Sequence, residues 1–334
     1  MRRGSPKRLL GRAALAFGGL ALAGLVAVFT LRPSAEAYPS LAVRAEPAKP
    51  GQLTVRFLGT STLTFDDGRD VVMIDGYLSR PDVIALLTQP LRPDQSAIAR
   101  HLKRADIRRI SALYVAHTHF DHALDSASLA KAYGAALHGS DMMAAIAAAE
   151  GVTSPVRRLT SGRPSTVGAF RVTPFRTPHS PGDVAAGATA AAFRIPAPAR
   201  AYPEGGAHSF LIQHETCRIL IVPSAGHPGD AFHGLRADVV MLGVGHLSRQ
   251  GPEAVAAYWR DTVAATGARL VVPIHWDDFS RSLDEPLKPF PYAIDRFDQT
   301  MKQLAALAGD RIALRLPRAF VPMDWSGLPA GGCA

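Results

Sequence analysis

The sequence has little cysteine, few aromatic residues and few charges for its length. Only two cysteines occur among 334 residues, which excludes a framework of several disulfides and a zinc module built on four thiolates. Aromatic residues make up 7% of the chain and charged residues 19%, whereas 47% of the residues are hydrophobic. This composition is typical of a globular protein with a large core and excludes a largely disordered chain.

The positive charge of the chain is concentrated near its N-terminus. The formal net charge is +9. Residues 1–37 carry six basic residues and one acidic residue, which leaves 31 basic and 27 acidic residues for the rest of the chain. Because that remaining surface is nearly balanced in charge, we expect no nucleic-acid partner.

Residues 13–31 form a run of 19 uncharged residues behind the basic segment 2–12. Such a run is long enough to cross a bilayer as a helix, and the basic flank should stay in the cytoplasm. Residues 35–37, Ala-Glu-Ala, match the small-x-small pattern of a signal-peptidase site. We therefore expect residues 1–37 to be a cleaved signal peptide or a retained N-terminal membrane anchor. The rest of the chain is then exported, either periplasmic or membrane-anchored and facing outwards.

The remaining chain divides by composition into a linker, one domain and a tail. Residues 38–52 predict a linker, residues 53–325 the domain, and residues 326–334 a flexible tail. A β-rich first half followed by alternating strands and helices predicts a layered α/β sandwich. Strands are predicted at 53–58, 61–65, 71–74, 110–116, 170–175, 209–213, 218–222, 239–242, 270–274 and 312–316. Helices are predicted at 124–133, 141–149, 252–266 and 292–307, with two short ones between 81 and 103.

Residues 116–122, Ala-His-Thr-His-Phe-Asp-His, concentrate the side chains that carry chemistry. His117 and His119 are two apart, so in an extended segment they point to the same side. Asp121 and His122 follow where the chain turns into a predicted helix. Imidazole and carboxylate are the ligands that Zn²⁺ and related cations take when thiolates are absent. The cluster therefore predicts a metal site.

This motif resembles the first metal motif of the metallo-β-lactamase superfamily, His-x-His-x-Asp-His, and the resemblance covers about residues 53–320. Residues 59–63, Gly-Thr-Ser-Thr-Leu, and 74–76, Ile-Asp-Gly, look like the opening strands of that superfamily. Residues 117–125, HTHFDHALD, and 273–276, PIHW, are similar to one particular branch. That branch contains ascorbate-6-phosphate lactonase and N-acyl-phosphatidylethanolamine phospholipase D.

The resemblance implies a four-layer αβ/βα sandwich with two metal sites at one edge. One metal would be held by His117, His119 and His179, and the other by Asp121, His122 and His275. The implied cofactor is one or two Zn²⁺ ions, although the same ligands accept Mn²⁺ or iron. Asp121 would also be the catalytic residue, which orients the attacking hydroxide and later carries a proton. No organic cofactor is expected.

One position departs from the pattern of the superfamily, in which an aspartate bridges the two metals. The strand 218–222 runs into Pro-Ser-Ala-Gly, so Ser224 stands where that carboxylate is expected. A hydroxyl is a poor bridging ligand, so the second metal should bind more weakly, or the site should hold one. Missing negative charge would come from Asp125, Asp277 or Asp278.

These observations predict a metal-dependent, zinc-type hydrolase that acts on an ester, a lactone or a phosphodiester, with a small-molecule or lipid-like substrate. Two alternatives stay open. One is a degenerate metal-binding protein without turnover, suggested by Ser224, and the other is an iron-dependent oxidoreductase. Among the remaining histidines, His208, His227 and His246 are candidates to line the pocket. The histidines expected on the surface or in loops are His138, His214 and His233.

Overall fold

The computed structural model describes residues 24, 27, 28, 30–43, 52–182, 185, 192–325 and 328–333. Most of the leader segment 1–37 and most of the linker 38–52 therefore lie outside the described residues. Within the described part, no helix is both long and apolar enough to cross a membrane. The prediction of a signal peptide or membrane anchor stays a prediction.

The first half of the domain forms a six-stranded sheet in sequence order. Its first three strands are antiparallel and the rest are parallel, with Ile74 paired to Tyr114. The strands are β1 (Thr54–Phe57), β2 (Leu63–Asp66), β3 (Val71–Ile74), β4 (Ala112–Tyr114), β5 (Ala136–Gly139) and β6 (Arg157–Arg158).

The second half forms a seven-stranded sheet in the reverse order, from β13 at one edge to β7 at the other. The strands β10 to β13 run parallel, and β7 to β10 are antiparallel. The strands are β7 (Ser165–Val167), β8 (Phe170–Arg176), β9 (His208–His214), β10 (Cys217–Val222), β11 (Val239–Gly243), β12 (Leu270–Ile274) and β13 (Ala313–Leu314). Runs of β-branched and aliphatic residues such as β11 and β12 are buried along their whole length, as parallel central strands require.

Helices connect the strands, and several have capping residues that fix where they begin. Side chains of Asp82, Asp94 and Ser140 accept hydrogen bonds from the first turns of α1, α2 and α5. The helices are α1 (Val83–Thr88), α2 (Gln95–Arg104), α3 (Phe120–Ala123), α4 (Ser126–Tyr133), α5 (Asp141–Ala149), α6 (Pro252–Trp259) and α7 (Phe297–Ala308). Helix α6 continues into a π-helical turn, Arg260–Ala264. Short 3₁₀ turns lie at Ala35–Ala37, Pro39–Leu41, Ala199–Ala201, Gly229–Phe232, Leu247–Gln250 and Gly331–Cys333.

Two apolar clusters hold these layers together. The larger one includes Phe57 and Phe65 of the first sheet, Phe210 of the second sheet, and Tyr258 and Met301 of α6 and α7. The smaller one lies between the first sheet and the helices α2, α4 and α5. Helices thus cover the outer faces of two packed sheets, and the predicted αβ/βα sandwich is confirmed.

Both ends of the described chain are fastened to the domain. Tyr38 packs edge-on against Phe297, and Ala42 forms a bridge with Leu316. In the C-terminal tail, Cys333 forms a disulfide with Cys217 of β10. The disulfide joins two residues that are 116 positions apart in the sequence.

The expectation that His138 and His214 lie at the surface is wrong. Both side chains are buried, whereas His233 is exposed as expected. His138 lies in β5 and stacks on the Tyr114 ring, with 4.1 Å between centroids. His214 lies 3.3 Å from the Asp67 carboxylate and against Phe170. No strand was predicted at β5, and His214 lies one residue beyond the strand predicted at 209–213, so neither position was expected to be buried.

The buried His138 ring predicts a loss of stability in acid. Burial, with a smaller contribution from Arg157, lowers its pKa from 6.5 to about 4. Between these pH values, the unfolded chain binds a proton at His138 that the folded chain does not bind. The contribution of the neutral His138 to stability is therefore present above pH 6.5 and is lost as the pH falls towards 4. From pH 7 to pH 5, we expect the wild type to lose about 1–2 kcal/mol more of its unfolding free energy than His138→Gln.

Urea unfolding at the two pH values measures this difference. The exposed His233→Gln variant should keep the pH dependence of the wild type. Equal losses for the wild type and His138→Gln would contradict a neutral, buried His138.

Candidate metal centre

The motif at residues 117–122 lies where β4 ends and α3 begins. Strand β4 carries the chain to the edge of the first sheet, where the backbone N–H of Ala116 donates to the Asp75 carboxylate over 2.7 Å. Thr118 is fixed by its N–H, which donates to the Glu204 carbonyl. Helix α3 starts directly after His119, so Asp121 and His122 are turned back towards the histidines that precede the helix.

The structure brings His117, His119 and His179 together as the first predicted ligand group. One ring nitrogen of each lies within 4.8 Å of the others. Nε2 of His117 is 3.1 Å from Nδ1 of His119. In the loop after β8, Nδ1 of His179 lies 3.0 Å from the Ser180 carbonyl, to which it donates in a neutral ring. The lone pair of that neutral His179 is then on Nε2.

Asp121, His122 and His275 form the second predicted group, again within 4.8 Å of one another. Oδ2 of Asp121 lies 3.2 Å from Nε2 of His275 and 3.6 Å from Nε2 of His122. The two Nε2 atoms are 3.3 Å apart. All six residues predicted as ligands therefore fall into the two groups of three that the resemblance implies.

The carboxylate of Asp75 orients this second group, a role that was not predicted from the sequence. Asp75 follows β3 and is fully buried, with a positive φ of 54°. Nδ1 of His122 donates to its Oδ2 over 2.8 Å, and the Ser61 hydroxyl donates to the same atom over 2.6 Å. A histidine that donates through Nδ1 presents its Nε2 lone pair on the other side of the ring. The only sequence signal was the Ile-Asp-Gly at residues 74–76 at the end of a strand.

His275 is held at the end of β12 by its backbone. Its N–H donates to the Thr60 carbonyl over 2.6 Å, and its φ is positive, at 55°. The loop after β11 passes so close to His275 that a Cβ at residue 245 would lie 2.8 Å from the His275 carbonyl oxygen and 3.0 Å from Nδ1 of the ring. The backbone of the β11 loop can approach His275 only because residue 245 is glycine.

The three acids that the sequence offered as compensating charges have other partners. Asp277 pairs with the buried Arg80 over 2.8 Å and accepts the Thr60 N–H, so it supports His275 through the Thr60 backbone. Asp278 pairs with Arg32. Asp125 accepts hydrogen bonds from the backbone and hydroxyl of Ser79. Burial, opposed by these hydrogen bonds, raises the pKa of Asp125 to about 6.

Ser224 lies beside the first ligand group and takes part in positioning it. Its hydroxyl oxygen accepts the Ser180 N–H over 2.9 Å, next to His179. Gly226 lets the two loops meet, because a Cβ there would lie 2.1 Å from the Pro178 carbonyl oxygen. Ser224 therefore occupies the position expected for a bridging carboxylate, and there it joins the loop after β10 to the loop that carries His179.

The electrostatics of the two groups favour a bound cation. Burial, together with the neighbouring His122, lowers the pKa of His117 well below its usual value, so this ring is neutral with a lone pair to offer. Burial alone would raise the pKa of Asp121, but His122 and His275 outweigh it and the pKa is lowered. An ionised carboxylate and several nitrogen lone pairs thus converge in buried space, and such a donor set fits a divalent cation.

Both ligand groups open onto one cavity of about 1250 Å³ between the two halves of the domain. His119, Asp121, His179 and His275 are among the lining residues, as are His227 and His246. His208 is instead buried, with Nδ1 3.0 Å from the Gly206 carbonyl. The larger apolar side chains of its wall are Leu86, Leu87, Phe120, Tyr202 and Phe279.

Removing the Asp75 carboxylate should weaken metal binding at the second group. In Asp75→Asn, the amide cannot serve as the anionic acceptor for His122, so we expect a loss of about 10–100-fold in affinity for one metal equivalent. Competition with a chromophoric chelator measures this affinity. The matched control is Asp310→Asn, at an exposed position after α7. Unchanged affinities in a folded Asp75→Asn protein would contradict this role.

Neither the family models nor the curated proteins contain a match to this chain. Among solved structures, the metallo-β-lactamase fold protein YhfI from Bacillus subtilis is 14% identical, with a TM-score of 0.49. The match covers 81% of this chain and 99% of that one. The metallo hydrolase Igni18 from Ignicoccus hospitalis is also 14% identical, with a TM-score of 0.48, and the match covers 81% and 96% of the two chains.

A third solved structure is CmlA, a diiron β-hydroxylase from Streptomyces venezuelae. It is 13% identical with a TM-score of 0.51, and the match covers 82% of this chain but 54% of that protein. At these identities the likenesses concern the fold alone. The two packed sheets with helices on their outer faces are the αβ/βα sandwich that the resemblance to the metallo-β-lactamase superfamily implied. The assignment of the chain to the branch of the lactonase and the phospholipase D stays a prediction.

Proposed function

We propose that this protein is a metal-dependent hydrolase, and one observation carries the proposal. Two groups of three ligand residues, one of them with a carboxylate, meet at the wall of a single large cavity. A purely structural metal site is closed by protein ligands, whereas a catalytic site faces space that a substrate can enter. His119, Asp121, His179 and His275 line the cavity, as the ligands of a catalytic site do.

A divalent cation bound by these residues would polarise a carbonyl or phosphoryl oxygen and lower the pKa of water. The chain supplies the rest. Asp121 is ionised at neutral pH, so its carboxylate accepts a hydrogen bond from water in the cavity and can carry a proton to the leaving group. Asp75 keeps Nδ1 of His122 protonated as a donor, which directs the Nε2 lone pair at the ligand group.

The substrates we propose are esters, lactones or phosphodiesters. Each has an oxygen that a cation polarises and a leaving group that takes up a proton. The apolar wall formed by Leu86, Phe120 and Phe279 favours a small-molecule or lipid-like substrate with an apolar part. Zinc is the proposed metal, because it prefers imidazole and carboxylate ligands.

An iron-dependent oxidation is the second candidate function. The ligand set contains only nitrogen and oxygen donors, which iron also accepts, and both cysteines are bound in a disulfide. The diiron β-hydroxylase of similar fold motivates this candidate. Loss of activity on exchanging iron for zinc, together with oxygen consumption, would favour it over hydrolysis.

We also propose that the chain is exported. The disulfide between Cys217 and Cys333 supports an oxidising compartment, since such bonds are rare in the cytosol. The uncharged run at residues 13–31 supports either a signal peptide or an anchor.

Hydrolysis of model substrates tests the proposal directly. We expect the zinc-loaded protein to hydrolyse a nitrophenyl ester, a lactone or a bis-nitrophenyl phosphodiester, and to lose this activity when a chelator removes the metal. His119→Ala should lower kcat/KM by at least about 10²-fold, since it removes a ligand that faces the cavity.

The matched control is His233→Ala, which removes an exposed histidine and should retain full activity. Hydrolysis that persists both in the chelated protein and in His119→Ala would contradict a metal-dependent mechanism. So would a zinc-loaded protein without turnover on all three substrate classes, because the metal-binding protein without activity would then be the correct interpretation.

A further inference from the structure

Exposed large apolar side chains are few among the described residues, and they lie in three short segments. One segment is at the N-terminal end of the described chain, one is α1, and one is a single tyrosine. The six residues are Val28, Leu31, Val83, Ile84, Leu87 and Tyr292. Exposed apolar side chains of this size can mark a surface that another molecule covers.

Helix α1 presents an apolar face without a protein partner in the described chain. Val83, Ile84 and Leu87 are 54%, 66% and 78% exposed, and no residue of α1 is buried. At 100° per residue, these three side chains fall within an arc of about 100° on one side of the helix. Their common direction gives α1 a single apolar face that points into solvent.

This face lies at the rim of the cavity. Leu86 and Leu87 at the end of α1, and the residues up to Pro90 that follow, line the cavity. Whatever covers the apolar face of α1 therefore also lies next to the cavity mouth.

The N-terminal segment joins the domain beside the same cavity. The carbonyl of Leu31 accepts the N–H of Tyr292, and Arg32 donates to the Asp278 carboxylate. Two residues before Tyr292, the Phe290 ring packs against Phe279 and His246 at centroid distances of 5.0 and 5.5 Å. Since Phe279 and His246 line the cavity, the attachment point of the N-terminal segment is directly behind its wall.

The sequence indicates what covers these residues. The uncharged residues 13–31 would span about 28 Å as a helix, close to the thickness of the hydrocarbon layer of a bilayer. Among the described residues that line the cavity, the charged ones are the basic Arg200 and Arg249 and the proposed ligand Asp121. Basic side chains around the mouth complement the anionic headgroups of a membrane.

We infer that α1, Leu31 and Tyr292 rest on a lipid bilayer, so that the cavity mouth faces the membrane. The N-terminal segment provides the anchor, and the apolar face of α1 is a second contact that enters the interface between headgroups and acyl chains. This orientation rests on the proposed export with a retained anchor. It does not depend on hydrolysis, so the two proposals fail separately.

Quenching by brominated lipids tests the orientation. The full-length chain is reconstituted into vesicles of phosphatidylcholine and phosphatidylglycerol, with or without acyl chains brominated near the headgroup. Ile84→Trp and Leu87→Trp place a fluorophore on the exposed face of α1. The three native tryptophans are all buried. The matched control is Ala148→Trp, at an exposed position of α5 that does not line the cavity.

We expect the brominated lipid to remove most of the emission that residue 84 or 87 adds, and to leave the emission added at residue 148 unchanged. Unquenched, red-shifted emission at 84 and 87 would overturn the inference, because α1 would then face water. Blue-shifted but unquenched emission would also overturn it, since a second copy of the chain would then cover α1. A membrane-isolated protein whose mass corresponds to a chain starting at Tyr38 would remove the anchor and overturn it as well.

Discussion

The geometry of the proposed metal centre depends on the buried carboxylate of Asp75. One oxygen accepts the Ala116 N–H and so fixes where β4 ends and the histidine motif begins. The other oxygen accepts hydrogen bonds from His122 and Ser61, which ties α3 and the loop before β2 to the end of β3. Because Asp75 is fully buried, each of these bonds is made in surroundings where an unpaired charge is costly. A single side chain thus couples the sheet edge to the orientation of a ligand ring.

The sequence predicts much of the fold and the six residues that the structure gathers into two possible metal-binding groups, but not the residues that support them. His117, His119, Asp121 and His122 form a local motif, and His179 and His275 follow strands that the sequence predicts at 170–175 and 270–274. Asp75 and Arg80 gain their roles only when strands distant in sequence meet, so no spacing indicates them. Asp277 was expected to compensate the metal charge, yet its partner is the buried Arg80, which the sequence does not distinguish from a surface arginine.

The elements that the sequence missed have weak local patterns. Strand β5 reads Ala-Leu-His-Gly, and its low β propensity is overridden by parallel pairing with β4. Strands β6 and β7 are only two and three residues long. Helix α7 was expected from residue 292 and begins at Phe297, because Asp295 accepts hydrogen bonds from His246 and Ser248 and holds the preceding residues in a turn.

Metal content of the purified full-length protein, measured by elemental analysis during titration with zinc and with iron, tests the central claim most directly. The two groups of three ligands predict about two equivalents per chain. The equivalents should bind with unequal affinity, because Ser224 contributes no bridging charge. His117→Ala and His275→Ala should each remove a different equivalent. A protein that binds no metal after titration, or whose binding survives both substitutions, would contradict the existence of the centre.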